Sequence, residues 1–597
     1  MPIIQEERPY EILVPHLGKD KFVFLSMDGA EYVSKPFEYT IIVATEEKEV
    51  DDEDLLRKTV LVTLRRDDFP PRLLHGVIRK AKLLGVEEGL STIYHWQMAV
   101  VPALWFLNLE QDCRHFINKT ALDIVKEILA EEKIKFAVKN VGTLPIREFT
   151  VQYRESTFNF VSRLLEEEGI FYWFEHSDSA HTMMLADTNQ ATRNCPHVNK
   201  LPFARGTSNR STGVIDTLER ETSVHTGKIT FQDYNFEKSG VNLQASSKGS
   251  QLNEFYEYPG RYSAKQDGER FVKLRLEEQE ARLRTIQSHT ISTMLLAGFR
   301  FQLEDHFEAK ANTSYVVLGI SFACQQNLVP TEGVNGTMAS FYFSAIPFNV
   351  PYRPPLIHPK PIIHGVQTAI VVGPEGSEIH CDKFGRVKIQ FHWDRKSKKD
   401  DNSSWWVRVS SSWAGGNWGQ ISIPRIGQEV IVSFLEGDPD RPIIVGRVYN
   451  DQHMPPYSLP DNKTQSGIKS RSSTGGGGSD FNEFRFEDKK GSEEIHLHAQ
   501  KDFNVVVENK QTVTVQKSDQ ITKIESGNRS ITVSKGNNSL EATAGKIAEK
   551  AAQEIKMECG GSKIILTPAS IKLEIGGSKI EMLPAMITIK APMIMQK

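Results

Sequence analysis

Apolar and polar positions alternate most regularly at the C-terminal end of the chain. From Gly560 the sequence reads Gly-Gly-Ser-Lys-Ile-Ile-Leu-Thr-Pro-Ala-Ser-Ile-Lys-Leu-Glu-Ile, and from Gly576 it reads Gly-Gly-Ser-Lys-Ile-Glu-Met-Leu-Pro-Ala-Met-Ile-Thr-Ile-Lys. Aligned, Gly560 meets Gly576, Lys563 meets Lys579, Pro568 meets Pro584 and Ile571 meets Ile587, a period of 16 residues. Each unit holds two short alternating strands broken at a Gly or Pro corner, which predicts a β-helical array. So short a unit has too few apolar side chains to close a core, and its strand edges are open. A single-chain solenoid meets this need by stacking many repeats; a prism meets it by winding several copies of the chain around one axis. Only two clear repeats are visible, with degenerate ones before them, which favours a homotrimeric prism. The plainer alternative is a hairpin array packed on a larger domain.

Upstream, the pattern predicts β structure to about residue 115, with strands over Lys21–Leu25, Tyr39–Ala44, Val60–Leu64 and His95–Val101 and an acidic loop at Asp51–Asp54. A helix is predicted over Thr120–Ile134, capped by Thr120, with Leu122, Val125, Ile128 and Leu129 on one face. A second follows over Ser156–Glu168, with Phe160, Val161, Leu164 and Leu165 inward and Gly169 ending it. Ile170–Phe174 then reads as an aromatic strand, and Asp267–Arg284 as a charged, mostly solvated helix. Val214–Leu218, Lys228–Phe231 and Ser314–Phe322 add strands, so residues 1–350 read as an α+β unit of tandem small barrels with helical inserts.

Six prolines between Pro347 and Pro361 predict a stiff extended connector over residues 351–367. Residues 368–450 read as a small all-β barrel of the OB type, with strands at Ala369–Val372, Arg386–His392, Trp405–Val409, Ile421–Pro424, Gln428–Phe434 and Ile443–Tyr449. Residues 451–490, polar and ending their Gly-rich part in Gly475–Gly478, read as a flexible linker. Residues 491–597 complete the β tail, starting with Glu494–His498 and continuing through Asn504–Val507, Thr512–Val515, Ile521–Ile524 and Ile531–Val533. Leu540–Lys556, rich in Ala and Glu, reads as more of the array in preference to a helix.

Composition removes several function classes. A net charge of −4 over 597 residues, without a Lys/Arg block, speaks against a nucleic-acid partner. The five cysteines are widely spread, odd in number and without a CxxC, as expected of free thiols in a reducing cytoplasm. The N-terminus lacks the basic and apolar regions of a signal peptide, and no apolar run is long enough to span a membrane. Export, if it occurs, needs a route without a signal peptide.

Long motifs then point to a family. His380-Cys381-Asp382-Lys383-Phe384-Gly385-Arg386-Val387-Lys388-Ile389-Gln390-Phe391-His392-Trp393-Asp394-Arg395 continues in Trp406-Val407-Arg408-Val409, Trp413-Ala414-Gly415, Pro424-Arg425-Ile426-Gly427-Gln428-Glu429-Val430 and Phe434-Leu435-Glu436-Gly437-Asp438-Pro439-Asp440. Gln152-Tyr153-Arg154-Glu155-Ser156, Glu167-Glu168-Gly169-Ile170, Tyr258-Pro259-Gly260-Arg261-Tyr262 and Glu494-Ile495-His496-Leu497-His498 extend the match over nearly the whole chain. These segments resemble VgrG, the spike protein of the bacterial type VI secretion system, related to the hub and spike of contractile phage tails. The resemblance implies a homotrimer made in the bacterial cytoplasm and then secreted or injected by the apparatus. Its hub would sit on the Hcp tube, its OB-like module would form a neck, and its C-terminal trimeric β-helix would form a needle. That needle would carry a PAAR-type tip protein and effectors mechanically through the target cell membrane.

Within the OB-like motif, Asp382-Lys383-Phe384-Gly385 and Asp438-Pro439-Asp440 read as turns. Trp393, Trp405, Trp406, Trp413 and Trp418 are too many for one small core, which places some between subunits. No acid–base constellation, cofactor motif or metal set is assigned. His496 and His498 share a strand face, which three chains would bring near one axis, but such a pair is more often ordinary packing. Glu166, Glu167 and Glu168 read as a solvated helix end. Gly227-Lys228-Ile229 and Gly545-Lys546-Ile547 lack the Ser or Thr that follows Lys in a phosphate loop. About 40 residues between neck and needle leave no room for an inserted lysozyme, and the chain stops soon after its last strand. A tail-spike enzyme acting on glycans is the alternative, and needs paired carboxylates in a cleft; a phage tail hub of different origin is a third reading. The predicted partner surface is the end itself, Ala591, Pro592, Met593, Ile594, Met595, Gln596 and Lys597, where Pro592 stops strand pairing and the apolar residues leave a blunt docking end.

Overall fold

The computed structural model describes residues 5, 8–66, 69–88, 92–204, 214–290, 292–328 and 337–595. They form two compact units, residues 1–502 and 503–597. In the first, strands from both ends of the predicted hub pair in one sheet. Its lateral order is Tyr10–Leu13, Thr59–Arg66, Phe69–Glu88, Thr92–Val101, Lys35–Thr45, Val23–Tyr32, Ser314–Gln326, Thr337–Pro347, Arg284–Thr290 and Ile215–Thr222. The 20-residue strand Phe69–Glu88 was not predicted, because Pro70, Pro71 and the basic residues Arg72, Arg79, Lys80 and Lys82 interrupt its alternation. The early and late strands meet where Val23–Tyr32 runs antiparallel to Ser314–Gln326, Gly29 opposite Phe322 and Gly319 opposite Tyr32. Each glycine lies under the ring opposite it: a Cβ on Gly29 would fall 2.4 Å from the Phe322 ring, and one on Gly319 2.3 Å from the Tyr32 ring. Only glycine fits under those rings.

The helices form where the periodicity places them. Helix α1 (Ala121–Glu131) is capped by Thr120 Oγ1, which accepts from the Asp123 amide, and buries Leu122, Ile124, Val125, Ile128 and Leu129. Helix α2 (Thr157–Glu168) is capped by Ser156 and ends on Gly169 at φ 71°. Helix α3 (Lys265–Ala281) departs from expectation. Besides Val272, Leu274 and Leu276 it buries Arg275 and Glu278, which pair at 3.0 Å, while Arg275 Nη2 also donates to the Glu166 carbonyl at 2.6 Å. Charge composition reads as a solvated helix; burial of paired charges supplies the difference. A small sheet, Ala245–Lys248, Lys228–Phe231 and Glu254–Glu257, packs on α3 through Ile229, Phe231 and Tyr262.

The acidic end of α2 is also not solvated. Glu166 and Glu168 are buried, and each of the three successive carboxylates holds a different part of the chain. Glu166 accepts from the amides of Ile357 and His358, both at 3.0 Å, and from His358 Nδ1 at 2.6 Å. Glu167 pairs with Arg147 at 2.6 Å. Glu168 takes the other Arg147 nitrogen at 2.5 Å and also Arg270 of α3. Burial alone would raise the Glu167 carboxyl, but Arg147 and Arg163 pull it down to about 2. Carboxylates at a helix C-terminus oppose the helix dipole, so these acids serve the junction and not the helix.

A five-stranded sheet follows, in the order Lys388–Phe391, Gln367–Val372, Glu429–Phe434, Pro442–Val448 and Arg408–Val409, around Ala369, Val371, Ile389, Phe391, Val430, Val432 and Ile444. Ile421–Pro424, predicted as a strand, is irregular, and Trp405–Val409 shrinks to Arg408–Val409. Asp382-Lys383-Phe384-Gly385 turns as predicted, with Gly385 at φ 71°. Asp438 and Asp440 do more than turn. Both grip Lys360 of the proline-rich connector at 2.6 Å, and Asp440 Oδ1 accepts the Val151 amide at 2.7 Å. Arg441 pairs with Asp233 at 2.7 Å. The OB-like module is therefore held on the hub by ion pairs. The stretch predicted as a flexible linker carries strands Gln465–Lys469 and Glu483–Glu487, which pair with each other and then with Glu494–His498. Its Gly-rich part is tied down where the Gly475 amide donates to Glu378 at 2.6 Å. Composition cannot show such partners, because backbone pairing and one carboxylate 97 residues away supply them.

Three histidines in the core add a pH-sensitive element. His75 Nδ1 and His181 Nδ1 lie 3.0 Å apart, His181 Nε2 accepts the Ala103 amide at 2.9 Å, and His176 Nδ1 accepts the His75 amide at 3.0 Å. Burial, reinforced by the neighbouring imidazoles, lowers His75 to about 4 and His181 to about 3, and burial with the nearby Arg72 lowers His176 as well.

Two stability predictions follow from these contacts. Glu168→Ala leaves Arg147 and Arg270 facing an empty buried site and should cost about 3–5 kcal/mol in urea unfolding; a loss below about 1 kcal/mol would mean the pairs behave as surface pairs. Acid should destabilise the chain in two windows. The histidines take up protons on unfolding at an ordinary value of about 6.5 but resist them when folded, so stability should fall as pH drops from about 6.5 toward about 4. The contribution of Glu167 is present above its ordinary value and should be lost as pH falls from about 4.5 toward about 2. Unfolding midpoints between pH 7 and 3 check both, and a pH-independent midpoint would refute them.

Candidate functional site

The second unit exposes what the first unit buries. Residues 501–554 are exposed throughout and carry no strand pairing among the described residues. The chain runs extended, with bends beginning at residues 508, 516, 525, 534, 543 and 552. The predicted strands Asn504–Val507, Thr512–Val515, Ile521–Ile524 and Ile531–Val533 fall between those bends, whereas Leu540–Lys556, which is not helical, is crossed by the bends at 543 and 552 and runs into the strand Ile555–Cys559. These stretches have no strand partner among the described residues of their own chain. Val506, Ile521 and Leu540 stand in water, an arrangement that invites pairing with another chain.

From Ile555 the pairing begins. Strands Ile555–Cys559, Ser562–Thr567, Ser570–Ile575, Ser578–Leu583 and Met586–Lys590 form an antiparallel meander, so each 16-residue repeat is one hairpin. Gly560 at φ 57° and Gly576 at φ 52° make the left-handed corners. Register sorts most of the side chains by face. One row across the sheet is Met557, Ile564, Leu573, Ile580 and Ile589; the next row on that face is Ile555, Leu566, Ile571, Met582 and Ile587. On the other face the row Lys556, Ile565, Lys572, Glu581 and Thr588 runs between them, and the row Glu558, Lys563, Glu574, Lys579 and Lys590 runs beside the Met557 row. Lys572 and Lys579 both reach Glu581, at 3.2 and 2.7 Å. The apolar face covers a cavity of about 450 Å³ and has nothing from its own chain over it. Ten apolar residues on one open face mark a site of association.

The predicted docking residues Ala591–Met595 extend past the last strand; Met593, at 75%, and Met595, at 85%, are almost fully exposed. Gln596 and Lys597 lie outside the described residues. His496 and His498 do share a strand face, but they diverge in their contacts: His498 Nδ1 sits 3.0 Å from the Phe481 carbonyl, and His496 is 3.9 Å from Glu483. Among the described residues no group of three His, Cys, Asp or Glu is placed to hold a metal. Of the tryptophans, Trp393 packs on Phe391 and donates to Gln367 at 3.0 Å, whereas Trp413 and Trp418 project into water. No described helix is long and apolar enough to cross a membrane.

These observations agree with three family models. The phage tail baseplate hub (GPD) model matches residues 30–328, the type VI secretion system/phage-baseplate injector OB domain matches 369–449, and the bacteriophage T4 gp5 C-terminal trimerisation domain matches 466–581. The type VI secretion system spike protein VgrG1b of Pseudomonas aeruginosa is 39% identical over 521 residues, 86% of this chain and 70% of that protein. The chain belongs to the VgrG spike family. VgrG1a of the same organism is 38% identical over 84% of this chain and 78% of its own length. The actin cross-linking toxin VgrG1 of Vibrio cholerae is 35% identical, but the match spans only 49% of that protein. In fold, this VgrG chain superposes on the E. coli c3393 protein, a type VI component described as similar to T4 tail proteins gp27 and gp5, with a TM-score of 0.54 at 20% identity over 73% of this chain and 100% of that one. The family motifs were legible in the sequence, and the alternation of Ile with Lys and Glu carries the signal of the two faces.

Proposed function

We propose that the chain is the homotrimeric spike of a type VI secretion apparatus. The hub end caps the Hcp tube, and the needle end carries a PAAR-type tip protein and effectors on Ala591–Lys597. The spike is made in the bacterial cytoplasm and leaves it with the apparatus, pushed mechanically through a target membrane, and it needs neither catalysis of its own nor a nucleic-acid partner. One observation carries this reading: the two apolar rows on one face of the C-terminal meander, uncovered by its own chain, in a region matched by a trimerisation domain. Three copies turning that face to a common axis bury both apolar rows and leave the Lys–Glu ladder in water. The Glu166–Glu168 run supports a scaffold role, since its carboxylates are engaged by Arg147, Arg270 and His358. A Francisella VgrG has been solved in complex with PdpA, so a member of the family does bind another protein.

Sedimentation of the purified chain should give three times 67.5 kDa, and a monomer of 67.5 kDa would refute the reading. Ile580→Asp, on the apolar face, should dissociate the trimer, since each copy loses about 1.5–3 kcal/mol of burial and must desolvate a charge. Lys579→Asn, one residue away on the charged face, should leave it intact. Removing residues 560–597 should leave a hub that no longer recruits a tip protein in a pull-down; unchanged recruitment would place the tip elsewhere.

A further inference from the structure

The loop between the strands Arg408–Val409 and Glu429–Phe434 ends in a small hairpin, bridged between Ala414 and Gly419, whose purpose the single chain does not explain. The Gly415 amide donates to the Trp418 carbonyl and the Gln420 amide to the Trp413 carbonyl, both at 2.9 Å. A Cβ on Gly415 would fall 2.2 Å from the Trp418 ring, so the indole lies flat against the backbone. Trp413 and Trp418 meet edge to face at 5.3 Å, and they remain 64% and 59% exposed, with Ile421 beside them in sequence at 77%. Two rigidly held indoles in water are a preorganised anchor without a socket.

The same chain has a socket without an anchor. Between the hub and the OB-like module lies a cavity of about 440 Å³, within the size range of built binding pockets. Its walls include Tyr234, Phe236, Arg386, Trp405, Trp406 and Arg408. The guanidinium of Arg408 lies 4.4 Å from the Phe236 ring centre and that of Arg386 5.3 Å, so cationic and aromatic faces alternate there. The buried Trp405 Nε1 has no hydrogen-bond partner. Neither Trp413 nor Trp418 lines this cavity in its own chain.

A threefold ring closes only through heterologous contacts, in which each copy offers one surface and receives a different one. We infer that the Trp413–Trp418 hairpin of one copy seats in the Phe236–Arg408 cavity of the next, an inference that rests on the trimeric reading above. Indole faces suit the guanidinium walls, and an acceptor brought by the incoming loop, such as a backbone carbonyl, would satisfy Trp405 Nε1. The hairpin also leads directly to the trimerisation match. Arg425, four residues after Ile421, donates to the Arg471 carbonyl at 2.8 Å and faces Glu378, which binds Gly475. A contact between copies here would continue the interface that begins at residue 466.

The test uses the full chain. In hydroxyl-radical footprinting of the assembled wild type, oxidation of Trp413 and Trp418 should fall on the order of tenfold against the urea-unfolded chain, as in the water-free centre of an interface. With p-benzoylphenylalanine in place of Trp418, irradiation should give covalent dimers and trimers on a denaturing gel, and the crosslinked peptides should contain residues 231–237 or 404–408. A trimer whose Trp413 and Trp418 oxidise as fast as in urea, or crosslinks confined to other segments, would overturn this contact and leave the trimer standing. A monomer in sedimentation would overturn both.

Discussion

Three carboxylates in a row at the wrong end of a helix hold the hub together. Nothing local favours them: the C-terminus of α2 repels negative charge, and burial raises the cost of every charge there. They persist because Arg147 comes from the strand before α2, Arg270 from α3, and His358 from the proline-rich connector. Remove Glu168 and Arg270 loses its partner inside the protein, while Arg147 is left with Glu167 alone. The same logic recurs at Lys360 between Asp438 and Asp440, and at Arg441 on Asp233. The junctions of residues 1–502 are therefore directional and polar, and they fix the modules by geometry, where apolar packing would allow sliding.

Residues 503–597 follow the opposite rule. The two apolar rows of their meander lie on one face and are left open, and residues 503–554 pair with no strand among the described residues. An isolated sheet with an uncovered apolar face is marginal in water. Its stability therefore has to come from association, and it depends on protomer concentration in a way that the hub does not.

This division explains what the sequence could and could not disclose. Helices α1 and α2 were legible with their caps, since Thr120, Ser156 and Gly169 act within a few residues of the bonds they make. The OB-like turns at Gly385 and the repeat of the tail were legible for the same reason. What stayed hidden is nonlocal. Glu166–Glu168 look solvated until residues from 20 to 192 positions away close on them. The supposed linker looks flexible until Gln465–Lys469 finds Glu483–Glu487. The strands expected between 504 and 533 do not form, since no neighbouring strand lies beside them among the described residues of the same chain.

The charged face of the meander is not mere solubilising cover. A slip of one residue in any hairpin would turn lysines and glutamates onto the apolar face, so alternation alone forbids odd slips. A slip of two would preserve the faces, and alternation cannot forbid it. In the native register Glu574 faces Lys579 and Lys572 faces Glu581. Shifting that pair of strands by two residues in one direction sets Glu574 against Glu581, and in the other direction Lys572 against Lys579. Between the preceding strands, where Lys563 faces Glu574, one such shift sets Lys563 against Lys572. Like charges directly opposite one another are destabilising. The apolar rows thus determine which side of the sheet is the association face, and the Lys–Glu pairs determine the relative height of the strands Ser562–Thr567, Ser570–Ile575 and Ser578–Leu583, while the last pairing, where Lys579 faces Lys590, has no such help. A structure that must assemble from three identical chains without a closed core of its own needs both.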